Sequence, residues 1–405
     1  MSKKNTAPRL GNAMGGVGTL LASLTCILVG LVIGFIALLI LGWITLAQDG
    51  STLTFGDMLA KTWNSGFKAI LSGGFYKTAN AMGMGVRAEI LQAAPLIMTG
   101  LSVAFAFKTG LFNIGAAGQY TVGAYFALYC AIVMKLPWWA CLIASAVGGA
   151  IWGAIPGIFK AFLNVNEVIT AIMFNWIGLY GVNTLIYQGG TGVMYNTNTT
   201  KTYTIKQASP ESLLPNFNVQ VGGKDYFGAL FLPTIGIFIA IAVAVLVWVV
   251  LNKTTFGYEL KACGHNKNAA KYAGINDKKN IILSMTIAGA LAGLGAGLFY
   301  LSGSKEWEPL VSTALPAAGF NGISVALLAS SNPLGCIFSA LFIAHITVGG
   351  GFMDASIFPS EVSDIISGVV IYLCAFSLLF KTGILKMLTP KPKAQKAETG
   401  KEADA

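Results

Sequence analysis

Apolar residues fall in long unbroken blocks along this chain, separated by short polar breaks. The first block, Leu20 to Ala47, runs 28 residues without a charge, and a helix needs only about 20 apolar residues to cross a bilayer. Ten helical blocks are expected, at about 20–47, 87–107, 111–134, 136–159, 166–188, 228–251, 281–303, 314–330, 332–349 and 362–381. The eighth and ninth are short. Pro333 stands at their junction, where a helix stops because proline lacks an amide hydrogen and its ring crowds the preceding turn. That pair is expected as a tight hairpin or a partly re-entrant element. The fold class is therefore all-α and polytopic, with about ten transmembrane helices.

Composition agrees with the pattern. Of 405 residues, 55% are hydrophobic and 10% charged, against about 25% charged in a soluble domain that must hydrate its surface. The 49 glycines suit helices that approach closely in lipid. The first block is too long for a cleaved signal peptide and lacks a small-residue cleavage site, so it is expected to remain as an anchor. Five of the six cysteines (Cys26, Cys130, Cys141, Cys263, Cys336 and Cys374) lie in apolar blocks without metal-ligand spacing. They are expected as small buried hydrophobes.

A net charge of +10 raises the question of nucleic acid, but the basic residues sit between apolar blocks and form no aromatic-plus-basic platform. They act as topology signals. With the N-terminus inside, 17 of the 26 Lys and Arg residues fall on cytoplasmic segments, as the positive-inside rule requires. Most of the others lie in two long external stretches, about 48–86 and 189–227, the second expected as a small polar cap or loop. Both termini are then cytoplasmic. Residues 1–19 form an N-terminal segment, 20–388 the membrane domain, and the Lys/Glu/Ala/Pro-rich tail 389–405 is expected to be disordered.

An internal echo organises the blocks. Gly110-Leu-Phe-Asn-Ile-Gly115 resembles Gly319-Phe-Asn-Gly-Ile323; each is followed by a helix, a proline (Pro137, Pro333) and a Glu-Val pair entering another helix. Five spans separate the copies, so the halves are expected as inverted five-helix repeats, an arrangement that puts a substrate route near the midplane between them.

Catalytic chemistry is poorly supplied. The sequence contains no G-x-x-x-x-G-K-[ST] loop to cradle ATP phosphates. Its two histidines, His265 and His345, have neither an H-E-x-x-H motif nor a cysteine cluster beside them. Carboxylates in the spans are confined to Glu89, Glu167 and Asp364, all near expected helix ends where solvation is easy. A route without an ion site or a nucleotide site needs an outside energy source. No metal or cofactor is expected. The cytoplasmic loop 252–280 carries the sharpest signal, with Gly257, Gly264 and Gly274 punctuating it and a short helix-competent stretch, Asn266 to Tyr272, between the last two. Such a helix, held away from the bilayer, suits a cleft on a motor subunit.

Four segments, GLFNIGAAGQ (110–119), NEVITAIMFNWI (166–177), FGYELKACGHNKNAAKYAGI (256–275) and GFNGISVALL (319–328), together resemble permease subunits of bacterial nucleoside ABC importers, within the branched-chain amino acid and simple-sugar permease group. The resemblance spans about residues 86–382. It implies partners: ABC ATPase subunits, a second permease chain and an external substrate-binding lipoprotein. It also implies that Glu259, Gly264, Asn266, Ala269, Ala270, Tyr272 and Gly274 belong to the ATPase-coupling segment, and that the FNIG and GFNG segments line the route. The sequence departs from the family at Ala117 and Asn321, where acidic residues are common, and at Lys267, near a common proline.

The residues of the implied route suggest a neutral, hydrogen-bonding cargo. Asn113, Gln119, Asn175, Asn321 and Ser324 offer donors and acceptors; Phe112, Phe174, Trp176 and Phe320 offer faces for stacking. Glu167 stands at the entrance of the fifth span. Contacts between helices are the competing role for each amide. A simple-sugar permease and an ion-coupled secondary transporter are the alternatives, and localisation is expected in the cell membrane.

Overall fold

The computed structural model describes residues 7–48, 54–75, 82–215, 234–311, 313–358 and 361–375. In chain order its helices are α1 (Ala7–Gln48), α2 (Phe55–Thr62), α3 (Lys68–Ser72), α4 (Met82–Lys108), α5 (Ala116–Ile132), α6 (Trp138–Leu163), α7 (Glu167–Tyr187), α8 (Ile205–Ala208), α9 (Ile235–Lys253), α10 (Thr255–His265), α11 (Lys267–Tyr272), α12 (Asp277–Tyr300), α13 (Ala317–Leu328), α14 (Pro333–Gly350) and α15 (Glu361–Ala375). A two-stranded antiparallel hairpin, β1 (Tyr195–Asn196) and β2 (Lys201–Thr202), follows α7.

Each of the ten expected spans falls on an apolar helix. Seven of these, in α1, α4, α6, α7, α9, α12 and α14, are long and apolar enough to cross a membrane. The helices α5 (17 residues), α13 (12 residues) and the described part of α15 (15 residues) are shorter. The chain is thus an all-α, multi-pass membrane protein with seven candidate crossings among the described residues. The first helix begins at Ala7, so much of segment 1–19 is helical; the tail 389–405 lies outside the described residues.

Local chemistry sets the breaks. Asn164 takes a left-handed conformation at the end of α6, and Asn166 then caps α7 by accepting from the Val168 amide at 2.9 Å, satisfying one of a helix's orphan donors. Ser330 and Ser331, both at positive φ, turn the chain between α13 and α14. There Asn332 caps α14 and Pro333 occupies its first turn, the position where a missing amide costs nothing. The junction is a tight hairpin.

Close backbone approach holds the centre. On α6, Gly149, Gly153 and Gly157 repeat every four residues, as do Gly289, Gly293 and Gly297 on α12, and these two helices form the most extensive pairing in the bundle. A Cβ at Gly153 would lie 2.5 Å from the Met285 carbonyl oxygen. Lipid offers no hydrophobic drive for association, so packing at small-residue stripes takes its place. Within its apolar window α4 is 78% buried and α12 67%, against 22% for α1, so α4 and α12 form the axis and α1 the periphery.

Part of the expected external stretch 48–86 is ordered structure. Residues 55–75 form α2, a π-helical turn (Trp63–Phe67), α3 and a short 3-10 turn, and they bury Phe67, Ile70 and Phe358 against α1 and α14. Glu89 is not solvated at a helix end. It is buried, with one carboxylate oxygen 2.6 Å from His345 Nδ1 and the other accepting from the Gly74 amide at 3.3 Å. His345 Nε2 lies 3.0 Å from the Leu71 carbonyl, which can only accept. Nε2 therefore donates there, and Nδ1 shares a proton with Glu89.

Candidate functional site

Chemistry-bearing residues gather at three levels along the bundle axis. The first level is the α10–α11 loop. Thr254 caps α10 through its hydroxyl, which accepts from the Gly257 amide at 3.1 Å; Asn266 caps α11 by accepting from the Ala269 amide at 3.0 Å. The expected short helix thus exists, but Gly257 and Gly264 do not punctuate it: both sit inside α10. Their role is close contact. A Cβ at Gly264 would stand 2.6 Å from the Thr109 carbonyl carbon and 2.7 Å from the Gly110 nitrogen, so α10 rests on the turn that opens GLFNIG. Gly274, at φ +79° with nothing within 4 Å, provides the left-handed reversal that closes α11, and the Ile275 amide donates back to Ala270. Glu259 is half-buried, Ala270 buried, and Ala269 exposed. Tyr272 is 94% exposed, an aromatic side chain projecting into solvent. Lys267 pairs with Asp277 at 3.3 Å, bracing α11 on α12. A small cavity of about 210 Å³ separates α10 from the start of α12 and the 109–111 turn.

At the second level the implied route residues pair with one another. Asn113, Gln119 and Asn175 are 0%, 1% and 2% exposed. The Asn113 and Gln119 amides exchange two hydrogen bonds at 2.8 and 3.0 Å, and Asn113 also donates to Ser102 at 3.0 Å. Asn175 accepts from the Gly118 amide at 2.8 Å and donates to the Ile114 carbonyl at 3.0 Å. These groups pin the non-helical turn 109–115 and the start of α5 to α4 and α7. Phe112 stacks on Phe107, with ring centroids 4.9 Å apart. The second echoed segment packs against α5 and α4 here, since a Cβ on Gly319 would collide with Ala117 and one on Gly322 would lie 2.7 Å from the Thr99 carbonyl carbon.

The third level is a cavity of about 600 Å³ at the end opposite α10–α11, roughly 36 Å away by the length of the 24-residue α12. Its walls come from the N-terminal half of α4, the end of α12, the loop 304–316 and the start of α13. Gln92, Tyr120, Tyr300 and Asn321 line it with Trp307 and the acidic pair Glu306 and Glu308. Pro95 in α4 also lines it; lacking an amide hydrogen, it cannot bond the Leu91 carbonyl one turn back. Its volume lies within the range of about 300–1,000 Å³ of small-molecule sites. The polar segment after α7 braces one wall: Thr202 and Trp307 exchange hydrogen bonds, Trp307 Nε1 donates to Asn183 at 2.8 Å, and Lys201 pairs with Glu308 at 2.7 Å. The hydrogen bond from Lys201 holds the Glu308 carboxyl below its usual range, and the same bond raises the Lys201 ammonium.

Of the implied route residues, then, Asn321 lines the large cavity, Asn113, Gln119 and Asn175 are buried, and Phe112 and, on α13, Ser324 are half-buried. Phe320 is 38% exposed, and Glu167 pairs with Lys160 at 2.8 Å between α6 and α7; neither lines the cavity. Gln92, Tyr120, Tyr300 and Trp307 carried no sequence signal, because each is an ordinary residue of an apolar block or loop.

Residues 87–375 match the family described as branched-chain amino acid transport system / permease component. The chain belongs to that family of membrane permeases. It is 35% identical over 380 residues to the guanosine ABC transporter permease protein NupP of Bacillus subtilis, covering 91% of this chain and 97% of that one. Its identity to the nucleoside ABC transporter permease protein NupB of Lactococcus lactis is 36%, over 76% of this chain and 83% of that one. The glucose ABC transporter permease protein TsgB13 of Haloferax volcanii is 31% identical over 73% of this chain and 77% of its own. No solved structure matches the chain.

Proposed function

We propose that this chain is the membrane-spanning subunit of an ATP-binding-cassette importer that carries nucleosides across the cell membrane. The observation that carries the reading is its similarity along 91% of its length to a guanosine permease. ATP is hydrolysed on partner subunits, a second permease chain completes the route, and an external lipoprotein delivers the cargo. All ten apolar helices cross the bilayer as two inverted halves, with both termini inside, so the large cavity faces outward and α10–α11 faces the cytoplasm.

In this reading the exposed side chains of Ala269 and Tyr272 enter a cleft on the ATPase, while Asn266 and Gly274 shape the helix that presents them. Ala270 anchors that helix to the bundle, and Glu259 and Gly264 lie on α10, through which motion reaches the 109–115 turn. The Asn113–Gln119 and Asn175 bonds hold the route shut beneath the cavity, and Asn321 and Ser324 line its path on α13. ATP-driven rearrangement opens this middle level while closing the outer one, the alternating access that repeat-built transporters use.

The test is uptake of radiolabelled guanosine and uridine by cells with and without the gene, in competition with excess ribose or glucose. Loss of nucleoside uptake on deletion, unaffected by the sugars in wild type, is the expected result. Loss of glucose or ribose uptake with nucleoside uptake intact would establish the sugar reading, which the similarity to the Haloferax glucose permease favours.

A further inference from the structure

Four polar side chains of the large cavity have no hydrogen-bond partner among the described residues: the amides of Gln92 and Asn321 and the phenols of Tyr120 and Tyr300. Two of them are deeply placed, Tyr120 being 2% exposed and Tyr300 7%. Their counterparts one level below, Asn113, Gln119 and Asn175, each both donate and accept within the bundle. All four line the cavity, so this clustering marks a place where a ligand or water can complete the bonding.

The ligand's chemistry follows from the lining. Apolar walls from Leu91, Pro95 and Leu96 flank the amides, and the Tyr300 ring lies 6.4 Å from that of Tyr120 and 5.7 Å from Trp307. A primary amide sets a donor beside an acceptor in one plane, the pattern that pairs with the edge of a purine or pyrimidine. Charge in the lining is confined to the loop at the rim, where Lys305 stands with Glu306 and Glu308; Lys201 engages Glu308, and no hydrogen bond engages Glu306 among the described residues. The Glu306 carboxylate can accept from the hydroxyl groups of a sugar.

Resting on the reading above as a nucleoside importer, we propose that this subunit itself binds its cargo, holding the nucleobase between the Gln92 and Asn321 amides and the Tyr120 phenol with the ribose toward Glu306. The base is thus read a second time, after the capture protein has released it.

The experiment uses the purified permease–ATPase complex in nanodiscs, without the lipoprotein, and measures binding of tritiated adenosine and uridine by scintillation proximity. Saturable binding is expected, displaced by unlabelled nucleoside and not by ribose. Asn321→Leu and Gln92→Leu should weaken it at least tenfold, and Tyr120→Phe, which removes one hydroxyl and keeps the ring, several-fold. Variants are scored only where the complex elutes as a single species. Displacement by ribose as strong as by nucleoside would overturn base recognition. Absence of binding to a complex that still imports nucleosides when the lipoprotein is added would overturn the site while leaving the importer reading intact. Absence of both binding and import would overturn the two together.

Discussion

Alanine at Gly264 is the sharpest perturbation of the link between α10 and the bundle. Its Cβ would stand 2.6 Å from one backbone atom and 2.7 Å from another, where nonbonded carbon atoms rest about 3.5–4.0 Å apart. The obstructing atoms belong to a turn fastened to α4: the Thr109 hydroxyl donates to Ala106 at 2.9 Å and the Gly110 amide to Phe107 at 3.2 Å. That turn cannot rotate aside as a side chain would, so α10 must shift outward by about 1 Å. Overpacking of this kind costs about 1–3 kcal/mol. Because α10 lies at the edge of the bundle, the cost is met by displacing it rather than by unfolding. Each 1.4 kcal/mol is about a factor of ten, so uptake should fall roughly tenfold or more at unchanged abundance. Gly274→Ala is the control: its Cβ meets no atom within 4 Å, and the left-handed backbone alone costs about 1 kcal/mol, so its loss should be smaller, about fivefold. The assay is initial nucleoside uptake per fluorescently quantified permease. Wild-type uptake by Gly264→Ala, or equal losses in both variants, would refute transmission through this contact.

Other consequences are measurable separately. Asn175→Leu strands the Gly118 amide and the Ile114 carbonyl in a buried site, at about 1–3 kcal/mol for each, and should lower the thermal midpoint of the purified complex by several degrees. His345→Leu leaves Glu89 buried without its partner, which costs about 3–5 kcal/mol; thermal-shift measurement should show a large loss, recovered in part by the double variant Glu89→Leu/His345→Leu. The Lys201–Glu308 bridge has a wide pH window. The lowered Glu308 carboxyl contributes above its ordinary value near 4.3 and is lost as pH falls through the lowered one, while the raised Lys201 contributes below about 10.4 and is lost above its raised value. Trp307-side protection in hydrogen exchange should therefore be flat from about pH 6 to 8 and should fall in acid.

Much of the architecture is legible in the sequence because lipid imposes a simple rule: long apolar blocks become helices. The short α13 and the proline-opened α14 were visible as well, since Pro333 sits where its missing amide does no harm. Seven helices have the length to cross a bilayer, whereas α5, α13 and the described part of α15 are shorter, a difference that block hydropathy does not reveal. The partners of polar residues were out of reach. Asn175 finds Gly118 and Ile114, 57 and 61 residues away, and nothing local distinguishes an amide that faces a route from one that clamps a turn. Glu89 and His345 lie 256 residues apart, so a carboxylate that looked easily solvated proved buried and paired. Of the glycines that punctuate the 252–280 loop in sequence, only Gly274 adopts a positive φ; Gly257 and Gly264 serve close approach, which depends on what stands opposite.

Reconstitution into proteoliposomes decides whether the chain depends on external ATPase subunits. Liposomes holding the permease pair, its ATPase subunits, internal ATP and external capture protein should concentrate tritiated guanosine from the capture-protein side, and omission of ATP or of the ATPase should abolish the gradient. Uphill accumulation by this polypeptide alone, driven by a proton or sodium gradient, would contradict it.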